Sequence, residues 1–335
     1  MVKVIVTGAA GFIGYHLSQL LLDEGAQVIG VDSLNDYYDP ALKIARQARL
    51  SAHPAYSAVQ GKIETPGLLT ALFADHRPDV VVHLAAQAGV RYSIDNPRAY
   101  LDANIAGSFE LLEAARAHPP AHVLMASTSS VYGANTQMPY REIDKADSQM
   151  SFYAASKKAA EAMAHSHAHL FGIPVTMFRF FTVYGPWGRP DMAPYLFTSA
   201  ITAGQPIKVF NHGDMSRDFT YVGDIVRGIR LLMDRPPVKG APTGPEDSLS
   251  PVAPWRVVNI GNGAPVPLLE FIAAIEAATG RQASKQLLPM QPGDVPATWA
   301  DTTLLQRLTG YRPQTSVADG IAAYVAWFRD YYRPA

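Results

Sequence analysis

The first half of the chain alternates short apolar, β-branched runs with helical patterns. The apolar runs lie at 3–8, 27–32, 79–86, 122–127 and 174–180. Helical patterns separate them and are clearest at 12–24, 67–75, 98–117 and 154–171. Strands that are apolar along their whole length are covered on both faces, and intervening helices make successive strands parallel. The sequence therefore predicts an α/β fold built on a doubly wound parallel sheet.

The second half has a different rhythm, with loops rich in glycine, proline and aromatic residues. One more buried strand is expected at 257–261, and amphipathic helices are expected at 268–279 and 317–332. Segment 235–254 is rich in proline, glycine and serine and has no periodicity. This composition predicts an exposed, poorly ordered loop.

The change of rhythm also suggests a division into domains. We expect a nucleotide-binding domain at 1–181, joined by parts of 219–262, and a smaller α/β substrate-binding domain at 182–335. A cleft between two such units is a common place for a ligand site.

The composition limits the kinds of partner and the cellular compartment that we expect for this chain. Of the 335 residues 17% are charged, the net charge is −1 and cysteine is absent. A chain without a basic surface is not expected to bind nucleic acid. No apolar run reaches the roughly 18 residues that span a bilayer, and the first residues enter a strand directly, so we expect neither a membrane partner nor a signal peptide. The lack of cysteine fits a reducing, cytoplasmic location.

A glycine pattern follows the first strand. Gly8, Gly11 and Gly14 stand between this strand and a helix, where they permit a tight turn, a close approach to a pyrophosphate and close packing of helix on strand. A glycine-rich turn without a ligand is the alternative. Asp32 ends the second strand, where a carboxylate accepts hydrogen bonds from the adenosine ribose and repels a 2′-phosphate. The pair of features predicts a Rossmann-type sheet that binds NAD rather than NADP.

A second pattern joins a helical pair to a cluster of hydroxyls. Tyr153 and Lys157 lie one helical turn apart, and an ammonium group beside a phenol lowers the pKa of that phenol and favours its action as a base. Upstream, four hydroxyl residues at 127–130 follow an apolar strand in "MASTSSVYG". A hydroxyl at such a strand end can orient a substrate alcohol and relay its proton.

Together these motifs resemble the extended short-chain dehydrogenase/reductase family, in its group of nucleotide-sugar epimerases and dehydratases, along nearly the whole chain except 235–254. The resemblance implies that Thr128 is the catalytic hydroxyl, that Tyr153 is the base and that Lys157 anchors the nicotinamide ribose. It implies NAD contacts at Gly8, Gly11, Phe12, Ile13, Gly14, Asp32, Asn35, Lys43, Ile63, Leu84, Ala85, Ala86, Asn104, Tyr153, Lys157, Phe180 and Val183. One departure is Lys62, which stands where relatives carry an aspartate toward the adenine.

Later segments resemble one branch of that family, the UDP-glucuronate 4-epimerases. The resemblance lies in 85–100, 179–192, 216–229 and 290–302. It implies that Arg217 meets the diphosphate, that Asp294 meets the uridine ribose and that the backbone at Val209 and Phe210 meets the uracil. The full set of substrate contacts that it implies is Arg91, Thr128, Ser129, Ser130, Tyr153, Thr182, Arg189, Val209, Phe210, Arg217 and Asp294.

The choice of reaction depends on how the site treats a carboxylate. A buried uronate carboxylate needs a cation and hydroxyl donors, and Arg189 offers a fork of N–H groups beside the serines of the cluster. Decarboxylating relatives carry Glu where this chain has Ser130, and dehydratases carry an Asp-Glu pair at Ser129 and Ser130. The expected reaction is therefore NAD-dependent interconversion of UDP-glucuronate and UDP-galacturonate. It passes through a transient 4-keto sugar that turns its other face to the cofactor, without loss of CO₂.

Three alternatives remain open. They are a neutral-hexose 4-epimerase, a UDP-glucuronate decarboxylase and a catalytically silent NAD-sensing scaffold. The family resemblance also implies a homodimer through the helices at 98–117 and 154–171. The histidines His165, His167 and His169 suggest a metal, but no carboxylate stands at matching spacing, so we expect no metal site.

Overall fold

A seven-stranded parallel sheet forms the centre of the protein. The computed structural model describes residues 1–291 and 295–333. The strands of the large sheet are β1 (Lys3–Thr7), β2 (Gln27–Asp32), β3 (Tyr56–Gln60), β4 (Val80–His83), β5 (His122–Thr128), β6 (Val175–Phe180) and β11 (Trp255–Ile260). Their spatial order is β11-β6-β5-β4-β1-β2-β3, and every pairing is parallel. The prediction of a doubly wound α/β fold is confirmed.

Helices cover both faces of this sheet. They are α1 (Phe12–Asp23), α2 (Pro40–Ser51), α3 (Leu68–His76), α4 (Tyr92–Asp95), α5 (Pro97–Tyr100), α6 (Gly107–Ala117), α7 (Phe152–Phe171) and α9 (Val222–Met233), with α11 (Thr303–Thr309) beside α9. One apolar core includes side chains of α1, α9 and α11, and the core on the opposite face includes α3, α6 and α7. Burial on both faces explains why most strands are apolar throughout. The apolar runs did not mark α2 or the edge strand β3, whose residues are largely exposed.

The strand order reverses beside β1, and this reversal predicts a ligand-binding crevice at the carboxyl ends of β1 and β4. Strands β1 and β4 are neighbours, but their following helices pack on opposite faces of the sheet. In open α/β sheets the carboxyl ends of strands at such a switch point leave room for a ligand. The glycine loop follows β1 there, and residues 84–86 follow β4.

Smaller sheets and helices complete the C-terminal half. The additional strands are β7 (Thr182–Tyr184), β8 (Ile207–Val209), β9 (Ser216–Arg217), β10 (Phe219–Tyr221), β12 (Val266–Pro267), β13 (Lys285–Leu287) and β14 (Ala297–Thr298). The remaining helices are α8 (Ala193–Thr202), α10 (Leu268–Thr279) and α12 (Val317–Tyr332). These elements enclose a third core with stacked Phe219 and Phe271 at its centre. Within the described part of the chain, none of the helices combines the length and apolarity that crossing a bilayer requires.

Two sequence-based expectations were wrong in detail. The helix expected at 98–117 is not one α-helix, because a π-helical segment, Leu101–Ala106, separates α5 from α6. Segment 235–254 contains no helix or strand, but it is not exposed throughout. Arg256 of β11 donates two hydrogen bonds to Asp247 at 2.8 and 2.9 Å, and Ser250 and Ala253 are buried. A paired, buried carboxylate orders the end of this segment despite its composition.

Candidate active site

The glycine loop closes tightly around the end of β1. Gly8 has a φ of +71°, and a Cβ on it would lie 2.7 Å from the backbone nitrogen of Ala85. A Cβ on Gly14 would lie 2.0 Å from the carbonyl oxygen of Gly8. Helix α1 begins after Gly11 with no side-chain cap and no acidic residue in its first turn. Its first N–H groups therefore remain able to bind phosphate oxygens.

Polar groups surround the end of β2. Asp32 is buried and accepts hydrogen bonds from the backbone N–H groups of Ala10 at 3.0 Å and Leu34 at 2.9 Å. Lys43 is also buried, and its ammonium donates to the backbone and side-chain oxygens of Asn35. Burial lowers the pKa of Lys43, and the negative charge of Asp32 opposes this effect. These three predicted cofactor residues therefore form one polar group beside the glycine loop.

The residues after β4 form the opposite wall. Leu84 and Ala85 donate their N–H groups to the backbone and side-chain oxygens of Thr7 at 3.1 and 3.2 Å. Asn104 lies in the π-helical segment and bonds both backbone groups of Gln87, at 2.8 and 3.0 Å. It also donates to Ser156 at 2.9 Å, next to Lys157. Asn104 thus connects this wall to α7, and π-helical segments often occur at functional sites.

The apolar residues of the predicted cofactor set lie in or against the apolar cores, apart from Ala86. Phe12, Phe180 and Val183 are buried in the core shared by α1 and the sheet, and Ile13 packs against it. Ile63 belongs to the core on the other face, and Ala86 is half-buried after β4.

The hydroxyl cluster lies at the carboxyl end of β5. Ser127 and Thr128 end the strand, and a short 3₁₀ helix, Ser129–Tyr132, follows. The Thr128 hydroxyl caps this turn by accepting from the Ser130 N–H at 3.2 Å, and it donates to the Ser130 hydroxyl at 3.3 Å. The side chains of Ser129 and Ser130 are half-buried. A hydroxyl at the end of this buried strand is therefore explained locally, because it caps the turn that begins there.

Tyr153 and Lys157 lie on α7 opposite this turn. Burial raises the pKa of the Tyr153 phenol, while a hydrogen bond with Thr128 and the charge of Arg189 oppose the rise. In the protein alone burial outweighs both opposing effects, and the lowering expected when a cationic nicotinamide also lies beside the phenol stays a prediction. Lys157 is buried, and burial lowers its pKa to about 8 while the charge of Glu161 opposes this.

Arg189 reaches the same region from the loop after β7. Its charge acts on the Tyr153 phenol, as its effect on that pKa shows. The guanidinium forms a two-pronged ion pair with Asp191, with Nε at 3.0 Å from Oδ1. Tyr37 donates to the same carboxylate at 3.1 Å, and its ring lies 5.7 Å from the guanidinium carbon. The sequence pattern predicted the arginine but not the carboxylate and phenol that hold it.

The other predicted substrate residues lie on the C-terminal half and facing loops. Arg91 stacks its guanidinium on the Phe210 ring at 5.4 Å, so the structure brings these two together. Arg217 on β9 donates to the carbonyl oxygens of Ser216 and Pro296 at 3.0 and 3.2 Å. The Val209 carbonyl accepts from the Leu288 N–H at 2.9 Å, and Thr182 donates its N–H to the carbonyl of Asp218 at 3.0 Å. Asp294 lies outside the described residues.

The histidines of α7 have partners of their own. His165 bonds the Ser250 hydroxyl at 2.8 Å, His169 the Val252 carbonyl at 2.9 Å and His167 the Glu113 carboxylate at 3.0 Å. Over residues 1–291 and 295–333, no group of three or more His, Cys, Asp or Glu side chains could hold a metal ion.

The motifs and their geometry match a known family. The model of the NAD dependent epimerase/dehydratase family matches residues 4–244. The chain belongs to this family. A "Probable UDP-glucuronate 4-epimerase" of Rhizobium meliloti is 50% identical to it over 99% of this chain and 98% of the relative. UDP-glucuronate 4-epimerase 4 of Arabidopsis thaliana is 46% identical over 99% of this chain and 76% of the relative.

A solved family member has the same fold. The crystal structure of UDP-glucuronic acid 4-epimerase from Bacillus cereus, in complex with UDP-glucuronic acid and NAD, superposes with a TM-score of 0.87 at 32% identity. The match covers 98% of this chain and 100% of that one.

The residues of this chain fit the family's cofactor. A Cβ would collide with backbone at Gly8 and Gly14, so only glycine permits the tight turn that brings the start of α1 against the end of β1. The uncapped N-terminus of α1 suits a pyrophosphate, and the buried Asp32 carboxylate suits a ribose diol but repels a 2′-phosphate. The prediction of NAD as the cofactor is confirmed.

Proposed function

We propose that this protein is an NAD-dependent UDP-glucuronate 4-epimerase, which interconverts UDP-glucuronate and UDP-galacturonate without decarboxylation. One observation carries the proposal. The Thr128 hydroxyl is hydrogen-bonded with the Tyr153 phenol, Lys157 follows Tyr153 by one turn of α7, and the turn after Thr128 holds serines and no acid. Relatives that match almost the whole chain bear the name of this enzyme.

The chain's residues divide the reaction between them. Bound NAD would supply the acceptor, and then the donor, of the hydride exchanged with C4 of the sugar. Tyr153 takes the O4 proton through or beside the Thr128 hydroxyl, whose bond to Ser130 orients it. Lys157 holds the nicotinamide ribose and keeps positive charge beside the phenol. A proton returns from Tyr153 to O4 after the sugar has turned its other face.

Recognition of the nucleotide falls to the C-terminal half. Arg217 meets the diphosphate, Asp294 the uridine ribose, and the backbone at Val209 and Phe210 the uracil. Arg91 is held near the uracil position by its contact with Phe210. Thr182, Ser129 and Ser130 supply hydroxyls to the sugar and its carboxylate.

Arg189 is the cation for the sugar carboxylate, which would share the guanidinium with Asp191. We expect Arg189→Gln to lower kcat/KM for UDP-glucuronate by about 30–150-fold, because loss of one partner of a desolvated charged pair costs about 2–3 kcal/mol. Steady-state kinetics measure the change, and Arg98→Gln, which removes an exposed arginine 4.0 Å from Asp102, is the control. Equal losses in the two variants would contradict a role for Arg189 in recognition.

Product analysis tests the reaction itself. The purified protein is incubated separately with UDP-glucuronate and UDP-glucose, and the products are followed by NMR. We expect UDP-galacturonate without CO₂ release. UDP-galactose alone would favour the neutral-hexose epimerase, a UDP-pentose with CO₂ the decarboxylase, and no turnover the NAD-sensing scaffold.

Ser130 decides between epimerisation and decarboxylation. We expect Ser130→Glu to raise the fraction of decarboxylated product, because the new carboxyl group can assist the loss of CO₂ from the 4-keto sugar. Ser130→Gln, which has nearly the same size and no acid, is the matched control and is expected to release no more CO₂ than the unsubstituted protein. An unchanged product ratio in Ser130→Glu would count against the proposal.

We also propose the two-domain division at 1–181 and 182–335, with 219–262 contributing to the first domain. Strand β11 supports this, because it adds the last strand to the large sheet from the C-terminal half. The separate third core supports a second unit. Limited proteolysis with mass spectrometry tests it, and a first stable fragment that ends well inside the large sheet would oppose it.

A homodimer in the cytoplasm completes the proposal. The outer faces of α6 and α7 expose Phe109, Phe152, Leu170 and Phe171, at 40 to 65% of their full area. Exposed large apolar residues on two adjacent helices suit a second copy of the same pair. Sedimentation velocity measures the state, and a monomer at micromolar concentration would contradict it. The absence of cysteine fits the cytoplasm.

A further inference from the structure

Glu161 lies on α7, on the same helical face as Tyr153 and Lys157. It follows Lys157 by one helical turn and Tyr153 by two, so the three residues lie along one face of the helix. Its side chain is 1% exposed. A carboxylate is costly to bury unless its oxygens are bonded and its charge is compensated. The burial of this carboxylate next to Tyr153 and Lys157 therefore has a cost in free energy that its partners must offset.

The side chains that bond the Glu161 carboxylate come from strands β5 and β6 and from α7 itself. Arg179 of β6 donates to both carboxylate oxygens, at 2.9 and 2.8 Å. Ser127 of β5 donates to Oε1 at 2.7 Å, and Lys158 of α7 lies 3.3 Å from Oε2. One side chain thus joins the carboxyl ends of two neighbouring strands to the middle of α7.

These bonds control a distance that the chemistry needs. Ser127 directly precedes Thr128, and a hydroxyl must lie within hydrogen-bond reach of the base to relay a proton. Thr128 is carried by β5 and Tyr153 by α7, so their separation depends on how strand and helix are held together. The bond from Ser127 to Glu161 holds them one residue away from Thr128.

The same carboxylate also acts on the charge of Lys157. His83 of β4 and Glu161 of α7 interact electrostatically with Lys157, and Tyr153 precedes it by one helical turn. The cations Arg179 and Lys158 bind the Glu161 carboxylate. His83 is neutral, since burial and the charge of Lys157 lower its pKa to about 3. Burial lowers the pKa of Lys157 to about 8, and the charge of Glu161 opposes that fall. Without the carboxylate, the negative charge that acts on Lys157 would be gone, while the cations Arg179 and Lys158 that it partly compensates would remain.

We propose that Glu161 is a positioning residue for the epimerase reaction, which aligns Thr128 with Tyr153 and places its carboxylate one helical turn from Lys157. The inference rests on the proposed function, in which Tyr153 and Lys157 act on the sugar and NAD. Glu161 itself touches neither.

Glu161→Gln tests the inference, because it keeps the shape and removes the charge. We expect kcat to fall by about 10–100-fold, part of the range for acid–base catalysis. We expect the alkaline limb of the kcat/KM profile to move toward lower pH by about one unit, because Lys157 then loses its proton more readily. A role limited to stability would leave that limb in place.

Asp247→Asn is the matched control. Asp247 likewise accepts two hydrogen bonds from one buried arginine, Arg256, at 2.8 and 2.9 Å, and its side chain is fully buried. Burial raises the pKa of Asp247, but its bonds to Arg256 outweigh this and hold the pKa below its usual range, so the substitution removes a charge as Glu161→Gln does. Asp247 is not among the groups that act on Lys157. We expect this variant to keep the alkaline limb of the unsubstituted protein.

A second variant covers a failure to fold. Glu161→Gln with Arg179→Met removes both charges of the buried pair, which is often tolerated where loss of one partner is not. The double variant is expected to show the same displaced alkaline limb. An unchanged profile and kcat, or folding of neither variant, would overturn the positioning role. If the unsubstituted protein epimerises UDP-glucuronate while the variants are unchanged, this inference alone fails; if it turns over no nucleotide sugar, both proposals fail.

Discussion

Tyr153→Phe is expected to lower kcat for UDP-glucuronate by about 10²–10⁴-fold, the usual contribution of a positioned acid or base. The change removes one oxygen and leaves the ring in place. The phenol interacts with the Thr128 hydroxyl and lies within the field of Arg189. No other group of the proposed mechanism can take the O4 proton at that point. Steady-state kinetics measure the loss, and absorbance of the purified protein measures its NAD content, which should not change.

Tyr100→Phe is the control for this substitution. The Tyr100 ring lies 5.9 Å from that of Tyr153, but its hydroxyl donates to the backbone carbonyls of Ala88 and Gly89. It loses a hydrogen bond of about 1 kcal/mol and no catalytic group. A Tyr153→Phe variant with kcat close to that of Tyr100→Phe would remove Tyr153 from the reaction.

Gly14→Ala is expected to destabilise the protein by about 3 kcal/mol and to abolish tight NAD binding. The added methyl would lie 2.0 Å from the Gly8 oxygen and 2.8 Å from the Gly8 carbon. Both atoms are backbone of the glycine loop, so relief requires α1 to move away from the loop. That movement displaces the N–H groups that face the phosphates. Chemical denaturation measures the stability, and calorimetric titration measures NAD binding.

Gly228→Ala is the matched control, also within a helix packed on the sheet. Helix α9 lies against α1, and a Cβ on Gly228 would meet Ile260 at an ordinary 3.4 Å. Replacing a glycine inside a helix by alanine without strain stabilises by about 0.5–1 kcal/mol. Two variants of equal stability would show that close packing at Gly14 does not matter.

Local patterns were enough for the framework of the site. The spacing in the sequence between Gly8 and Asp32 is set by one helix, α1, and the strand after it, β2, and the sequence pattern marks both clearly. Tyr153 and Lys157 are one turn apart on a helix, so their proximity is a property of helical geometry alone. The helix bounds 268–279 and 317–332 were predicted without error.

The partners of these residues were harder to anticipate. Asp191 is two residues from Arg189, but Tyr37, which shares that carboxylate, is more than a hundred positions away. Arg179, which binds Glu161 of α7, lies on strand β6, and the sequence pattern did not connect the two. Glu161 itself could have been noticed from the sequence, because it stands four residues after Lys157. The buried end of segment 235–254 was missed because composition does not reveal that Arg256 would bind Asp247.

Sequence patterns alone were sufficient to predict the sheet except its edge strand β3, the cofactor loop, the choice of NAD and the family. Each of these depends on apolar periodicity or on residue types at short spacing, which the chain order contains directly. The tertiary structure decided which charges compensate one another and what burial does to them. Burial raises the pKa of Tyr153 in the protein alone, and the charge of Glu161 opposes the fall that burial causes in the pKa of Lys157. Desolvation and the field of distant residues depend on the packing of the whole fold, and no local pattern records them.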